Sequence, residues 1–154
     1  MRGHENNAKV LEIQTSLWAA FDVPTLLEPG RSFVMEGDLF KLRRSGRLKQ
    51  FRVFLFNNLF VYATARLLKG YYHYHNSMEY HGVFEADCEV AEAGYETEGF
   101  GFRVTGPKGV RIFVAKTAAD RTKWIDAINA CVDKRNVASS HRKSVMSQRL
   151  TPAQ

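Results

Sequence analysis

A chain of 154 residues that is 45% hydrophobic, with 11 Phe and 6 Tyr, carries enough apolar surface to build one core and too much to remain disordered. It contains nothing close to the roughly 18 consecutive apolar residues of a membrane span, and its polar start lacks the apolar stretch of a signal peptide. The net charge of +6 points to an anionic partner, and two distant cysteines, Cys88 and Cys131, fit a reducing, cytoplasmic setting rather than a disulfide framework or a metal site.

The charge is unevenly spread. Residues 1–30 sum to −2, residues 31–135 to +5 and residues 136–154 to +3. Residues 41–69 hold eight bases and no acid: Lys41, Arg43, Arg44, Arg47, Lys49, Arg52, Arg66 and Lys69. Residues 85–98 hold six acids and no base. Such segregation gives one folded block a strong dipole and orients it near a charged surface, with the acidic segment facing away.

In chain order, residues 8–21 place Val10, Ile13, Leu17 and Phe21 at helical spacings, a single apolar stripe that must pack on something. Pro24 ends this helix and Pro29-Gly30 turns the chain. Short strands are expected over residues 33–44, 48–56, 59–65, 71–75, 100–105 and 110–115, with weaker candidates at 78–84 and 88–91. Ser45-Gly46, Asn57-Asn58 and Gly106-Pro107-Lys108-Gly109 are the turns, the asparagines being chosen because Asn tolerates positive φ. With one of the weaker candidates these make seven short strands, whose spacing suggests a barrel or sandwich. A helix follows, with Thr117 as its N-cap, Asp120 as the partner three residues on, and Trp124, Ile128 and Cys131 on its buried face. Beyond residue 135 the apolar period is lost. Ser139, Ser140, Ser144, Ser147, Thr151 and Pro152 with three bases read as a disordered basic tail, in which His141-Arg142-Lys143-Ser144 has the pattern of a basophilic kinase site.

No catalytic frame appears. Carboxylates are not paired in a recognisable spacing, no Cys–His or Ser–His–Asp signature occurs, and neither Gly99-x-Gly101 nor Gly106-x-x-Gly109 opens a helix as a phosphate loop does. The chain reads as a non-catalytic module without a cofactor. The aromatics alternate as a barrel core does and no RNA-recognition or helix-turn-helix motif is present, so nucleic acid is not the expected polyanion.

The fold class is therefore mainly β: a seven-stranded antiparallel barrel or sandwich capped by one C-terminal α-helix, with an extra N-terminal helix. Residues 31–135 resemble a pleckstrin homology (PH) domain. The carriers are Glu36-Gly37-Asp38-Leu39-Phe40-Lys41, the FLFNNLFVY stretch over residues 54–62, and Trp124 in the last helix. With the PGRSFVMEG lead-in, these look most like the PH domains of Dbl-family Rho exchange factors and of PH–FYVE adaptors such as the phafins. The first helix is similar to the linker that joins the two domains of the exchange factors. The resemblance implies a domain flanked by residues 1–30 and 136–154, and recruitment to phosphoinositide-bearing membrane, with a small GTPase or another protein as the alternative partner.

It also implies a headgroup site. Phosphoinositide-binding members carry a Lys near the end of strand one and a basic-x-Arg pair on strand two. Lys41 and Arg43 match the first strand, Arg44 and Arg47 the loop, and Lys49 the second strand. Arg52 is the last candidate of this basic edge: aligned on FLFNN, the family's Arg falls on Phe51, and Arg52 comes one residue late, on the other face of an extended strand unless a bulge restores it. Lys69, His73 and His75 are the candidate second wall. The two histidines share a face and would add charge as pH falls toward about 6.5. Tyr71, Tyr72 and Tyr74 suit either a membrane interface or, for at least one, the barrel interior.

Overall fold

A computed structural model of the chain describes residues 3–19, 23–85 and 100–150. The elements are α1 (Gly3–Ser16), β1 (Leu17–Trp18), β2 (Phe33–Leu42), β3 (Leu48–Phe56), β4 (Leu59–Ala65), β5 (Tyr72–Met78), β6 (Gly82–Glu85), β7 (Gly101–Gly106), β8 (Gly109–Val114) and α2 (Ala118–Leu150). One sheet holds the strands in the order β1-β5-β4-β3-β2-β8-β7-β6. The ladders among β2–β5 and among β6, β7, β8 and β2 are antiparallel, as the sequence suggests. The sheet as a whole is mixed, because β1 adds to β5 in parallel, with Leu17 beside Tyr72 and Trp18 beside His73. The first helix thus ends earlier than its apolar period suggests. Leu17 continues the stripe from an extended backbone, and Phe21 lies outside the described residues, as does the candidate strand at 88–91.

Alternation along β3 divides two cores. Phe51, Val53 and Leu55 point into the barrel, where they meet Leu39, Tyr62, Phe102, Phe113 and, from α2, Trp124, Ile125 and Ile128. Phe54 and Phe56 point outward and pack with Val61 and Ala63 under Val10, Ile13 and Leu17. Strands β3 and β4 are therefore buried on both faces, which explains the nearly unbroken apolar run over residues 54–62. The apolar stripe of α1 finds its partner within this domain.

Polar side chains fix the seam between α1 and the sheet. Asn6 donates to the carbonyl of Arg31 at 3.0 Å and accepts from the amide of Phe33 at 2.8 Å. Asn57 accepts from the amide of Ser32 at 2.7 Å and donates to the carbonyl of Gly30 at 2.8 Å. No non-glycine residue among those described has positive φ. The Asn57-Asn58 turn is therefore served by side-chain hydrogen bonding and not by the conformation the sequence suggested. Tyr72 and Tyr74 also lie against the outer cluster and not inside the barrel.

At the closing corner the β7–β8 turn meets the chain after β5 backbone to backbone. A Cβ on Gly106 would lie 2.1 Å from the carbonyl oxygen of Glu79, so glycine is required there. Helix α2 starts at the expected cap, the hydroxyl of Thr117 accepting from the amide of Asp120 at 3.1 Å. It does not end near Arg135: the residues expected to be a disordered tail are helical through Leu150. No Gly or Pro interrupts residues 118–151, and Ala, Arg, Lys, Met and Gln all favour helix. The lost apolar period marks where the helix leaves the barrel.

Tyr80 joins the pieces. Its buried hydroxyl donates to the carbonyl of Phe56 at 2.6 Å, and Arg135 stacks 4.6 Å from its ring while donating to its carbonyl at 2.8 Å. Trp124→Ala should cost about 3–5 kcal/mol in urea unfolding, by removing the largest side chain that α2 places in the core. Tyr80→Phe should cost about 1–3 kcal/mol, by stranding a buried carbonyl. A Trp124→Ala loss no larger than that of a surface substitution would contradict this account of the core.

Candidate functional site

The interior face of β2 and β3 does not end with the core. Lys41 lies opposite Lys49 in the register, one alternation beyond the Leu39–Phe51 pair and on the same face. The two lysines thus carry the lining of the barrel out to its rim. The Nζ of Lys49 sits 5.4 Å from the centre of the Phe51 ring. Arg111, from β8, places its guanidinium 5.7 Å from the ring of Tyr62. His75, from β5, rests on both rings, 4.9 Å from Phe51 and 5.5 Å from Tyr62. Two aromatic rings form the floor of a basin, and Lys41, Lys49, His75 and Arg111 rise around it from four strands.

The β2–β3 hairpin adds exposed Arg43, Arg44 and Arg47 above this basin. The hairpin is closed by the amide of Arg43 donating to Arg47 at 2.8 Å and that of Gly46 donating to Arg43 at 2.9 Å, with Gly46 at φ 83°. This is a conformation that glycine adopts at low cost.

These cations act on one another without an acid among the described residues to offset them. Burial, and then the charges of Arg111, Arg43 and Arg44, hold the Lys41 ammonium below its ordinary pKa. Burial, and then Lys49, Lys41, Arg43 and Arg111, hold the His75 imidazole below its own. Among the described residues no carboxylate forms a salt bridge with Lys41, Arg43, Arg44, Arg47, Lys49 or Arg111. One nitrogen of Arg111, Nη1, is buried with no hydrogen-bond partner. A buried donor on a permanent cation is costly to leave unmatched, and an incoming anion would satisfy it.

The described acids on β2 are committed elsewhere. Glu36 and Asp38 face the outer side of β2, where Arg52 donates to them at 3.1 and 3.4 Å and Lys9 of α1 reaches Glu36 at 2.9 Å. Burial opposes the charge on Glu36, but the hydrogen bonds from Lys9 and Arg52 outweigh it and keep the carboxyl below its usual pKa. Arg52 is therefore separated from the basin by one alternation of β3, and Phe51 is floor. The structure also divides the other expected residues. His75 joins the basin, whereas His73 packs edge-on against Trp18 at 5.1 Å and Lys69 sits exposed on the β4–β5 loop. The acidic segment beyond Glu85 lies outside the described residues. Arg111 was missed by sequence reasoning. Its signal is its position two residues before core Phe113, legible once β8 is known to pair with β2.

The family model of the PH domain matches residues 33–133. This chain belongs to the PH domain family. PH domains commonly bind lipids or proteins, and they are non-catalytic modules. The chain is 29% identical over 135 residues to FYVE, RhoGEF and PH domain-containing protein 6 of Mus musculus, covering 87% of this chain and 9% of that protein. It is 30% identical over 131 residues to FERM, ARHGEF and pleckstrin domain-containing protein 1 of Gallus gallus, covering 84% of this chain and 12% of that one. It is 30% identical over 129 residues to pleckstrin homology domain-containing family F member 2 of Mus musculus, covering 83% and 49%. The chain thus spans less than half the length of each. Among solved structures, inhibitor-bound Vav1 superposes with a TM-score of 0.66 at 14% identity, over 84% of this chain and 33% of that one. The PDZ-RhoGEF DH/PH domains in complex with RhoA give 0.61 at 16%, over 84% and 40%. At these identities the likeness is one of fold. No helix among the described residues is long and apolar enough to cross a membrane.

The depressed pKa of His75 has a consequence for this PH domain. The folded state holds fewer protons on this ring than the unfolded chain does, so the stability it contributes is present above about pH 6.5 and lost as pH falls below it. Between about pH 7.5 and about pH 5, wild type should therefore lose more stability than His75→Gln in parallel urea titrations. Equal losses would show that burial and the cationic neighbours do not disfavour the charged ring.

Proposed function

We propose that this PH domain is a phosphoinositide and anionic-membrane binding module that recruits the protein carrying it to membranes. One observation carries the reading: Lys41, Lys49, His75 and Arg111 converge on a single basin without a compensating acid among the described residues, and Arg111 holds a buried unmatched donor there. Phosphate groups on an inositol ring present dense charge and many acceptors. Lysine and arginine answer them with charge-assisted hydrogen bonds, and guanidinium does so in a fork that fits two oxygens. Arg43, Arg44 and Arg47 would add longer-range attraction from the hairpin. Phe51 stands where the family's usual Arg is expected, and Arg111, entering from β8, supplies a guanidinium to the same basin.

The test is flotation on phosphatidylcholine vesicles with and without a phosphoinositide mixture. Wild type should float with the phosphoinositide vesicles. Lys41→Ala/Lys49→Ala should weaken binding about a hundredfold, and Arg111→Gln about tenfold. Arg52→Ala should leave affinity within about twofold, because its charge is matched by Glu36 and Asp38 on the other face. Absence of wild-type binding, or equal binding by wild type and the lysine double variant, would overturn the assignment.

A second reading has its own support. Similarity to the DH/PH structures extends over 84% of this chain, more than the PH match alone. A regulatory PH module that contacts a small GTPase or another protein would show this likeness too. It would bind its partner equally well after the Lys41→Ala/Lys49→Ala change.

A further inference from the structure

The rim that carries the basin has a second feature. Register fixes which loops share it. Leu42 pairs with Leu48 at the end of the β2–β3 hairpin, Arg52 pairs with Ala63 between β3 and β4, and Ala65 pairs with Tyr72 at the end of the β4–β5 hairpin. Both hairpin loops therefore emerge at the same end of the sheet.

The β4–β5 loop is folded and apolar at its tip. The amide of Arg66 donates to Tyr71 at 3.1 Å and that of Tyr71 donates to Leu68 at 3.2 Å. Leu67 nonetheless has a relative exposure of 109%, Leu68 of 65% and Tyr71 of 46%. Beside them Trp18 is 49% exposed and held between Arg66, 5.0 Å from its ring, and His73. The composition is that of an interfacial anchor: two leucines at the apex, Trp and Tyr rings behind them, and Arg66 and Lys69 at the flanks. Internal bonds fix the loop with these leucines outward, so their exposure is built into the hairpin.

We infer that the β4–β5 loop is a wedge that inserts Leu67 and Leu68 into the interfacial region of an anionic bilayer while the adjacent basin holds a lipid headgroup. The inference rests on the reading under Proposed function and adds an apolar contact to its electrostatic one. Geometry selects a bilayer as the occupant. A headgroup held in the basin brings this end of the barrel to the lipid surface, and a protruding apolar tip on the same end then meets lipid. The flanking bases Arg66 and Lys69 complement anionic headgroups around the apolar tip. Trp18 and Tyr71 sit at the depth where amphipathic rings are stable, between hydrocarbon and water. The two contacts on one rim would act as linked sites, each raising the effective concentration of the other.

The experiment compares wild type, Leu67→Ser/Leu68→Ser and Lys41→Ala/Lys49→Ala on phosphatidylcholine vesicles containing phosphatidylserine and a phosphoinositide mixture. Calorimetry with inositol hexakisphosphate measures the basin without a bilayer. The leucine variant should lose about thirtyfold or more in vesicle affinity, yet bind the free inositol phosphate as wild type does. The lysine variant should lose both. In vesicles with brominated acyl chains, emission from Trp18 should be quenched in wild type and spared in the leucine variant, with Trp18→Phe supplying the contribution of buried Trp124. Equal vesicle affinity for wild type and the leucine variant, or unquenched Trp18 in bound wild type, would overturn the wedge and leave the headgroup basin standing. Wild type that binds no vesicles would also overturn it, and calorimetry would then decide the basin separately. Failure of the inositol phosphate to bind any of the three proteins would instead remove the basin.

Discussion

Strict alternation along β3 is the constraint on which the rest of this structure depends. Phe51, Val53 and Leu55 must fill the barrel, so Arg52, Phe54 and Phe56 must face away from it. Trp124 of α2 closes the first face and the stripe of α1 closes the second. A shift of one residue would turn Arg52 into the barrel with Phe54 and Phe56, and would move Phe51, Val53 and Leu55 to the face under α1. The aromatic mass on both faces makes that shift prohibitive, and the placement of the charges follows from it.

The same alternation sorts the charges into two systems. On the outer face Lys9, Glu36, Arg52 and Asp38 neutralise one another and tie the first helix to the sheet. At the inner rim Lys41, Lys49, His75 and Arg111 stand over Phe51 and Tyr62 with no acid among the described residues to answer them. Matched charges at a partly exposed seam contribute modestly to stability. Unmatched charges crowded into a half-buried basin cost stability and are relieved by an anion. The contrast between the faces, more than the net charge of the chain, separates the proposed binding surface from a structural one.

Much of this was legible in the residues. The FLFNNLFVY run, the glycine turns and the spacing of Trp124, Ile128 and Cys131 gave the barrel, its hairpins and its plug, because burial imposes a period on sequence. The offset of Arg52 from the family pattern was visible, and so was its consequence for the face it occupies. What escaped the sequence depends on contacts between distant segments. Arg111 enters the basin because β8 lies beside β2, and His73 meets Trp18 because β1 lies beside β5. The helical extension to Leu150 was hidden for a different reason: a helix that has left its core no longer shows an apolar stripe. Asn57 and Asn58 suggested a backbone conformation, whereas Asn57 serves by its side-chain bonds to Ser32 and Gly30.

The central claim is that the unmatched basin over Phe51 and Tyr62 receives a polyphosphate. Titration of isotope-labelled protein with inositol hexakisphosphate, followed by amide chemical shifts, tests it most directly. The account predicts saturable shifts clustered on residues 41–49, His75 and Arg111, with α1 and the outer face of β3 unmoved. Shifts centred on α1 and the outer face, or none at any ligand excess, would contradict it.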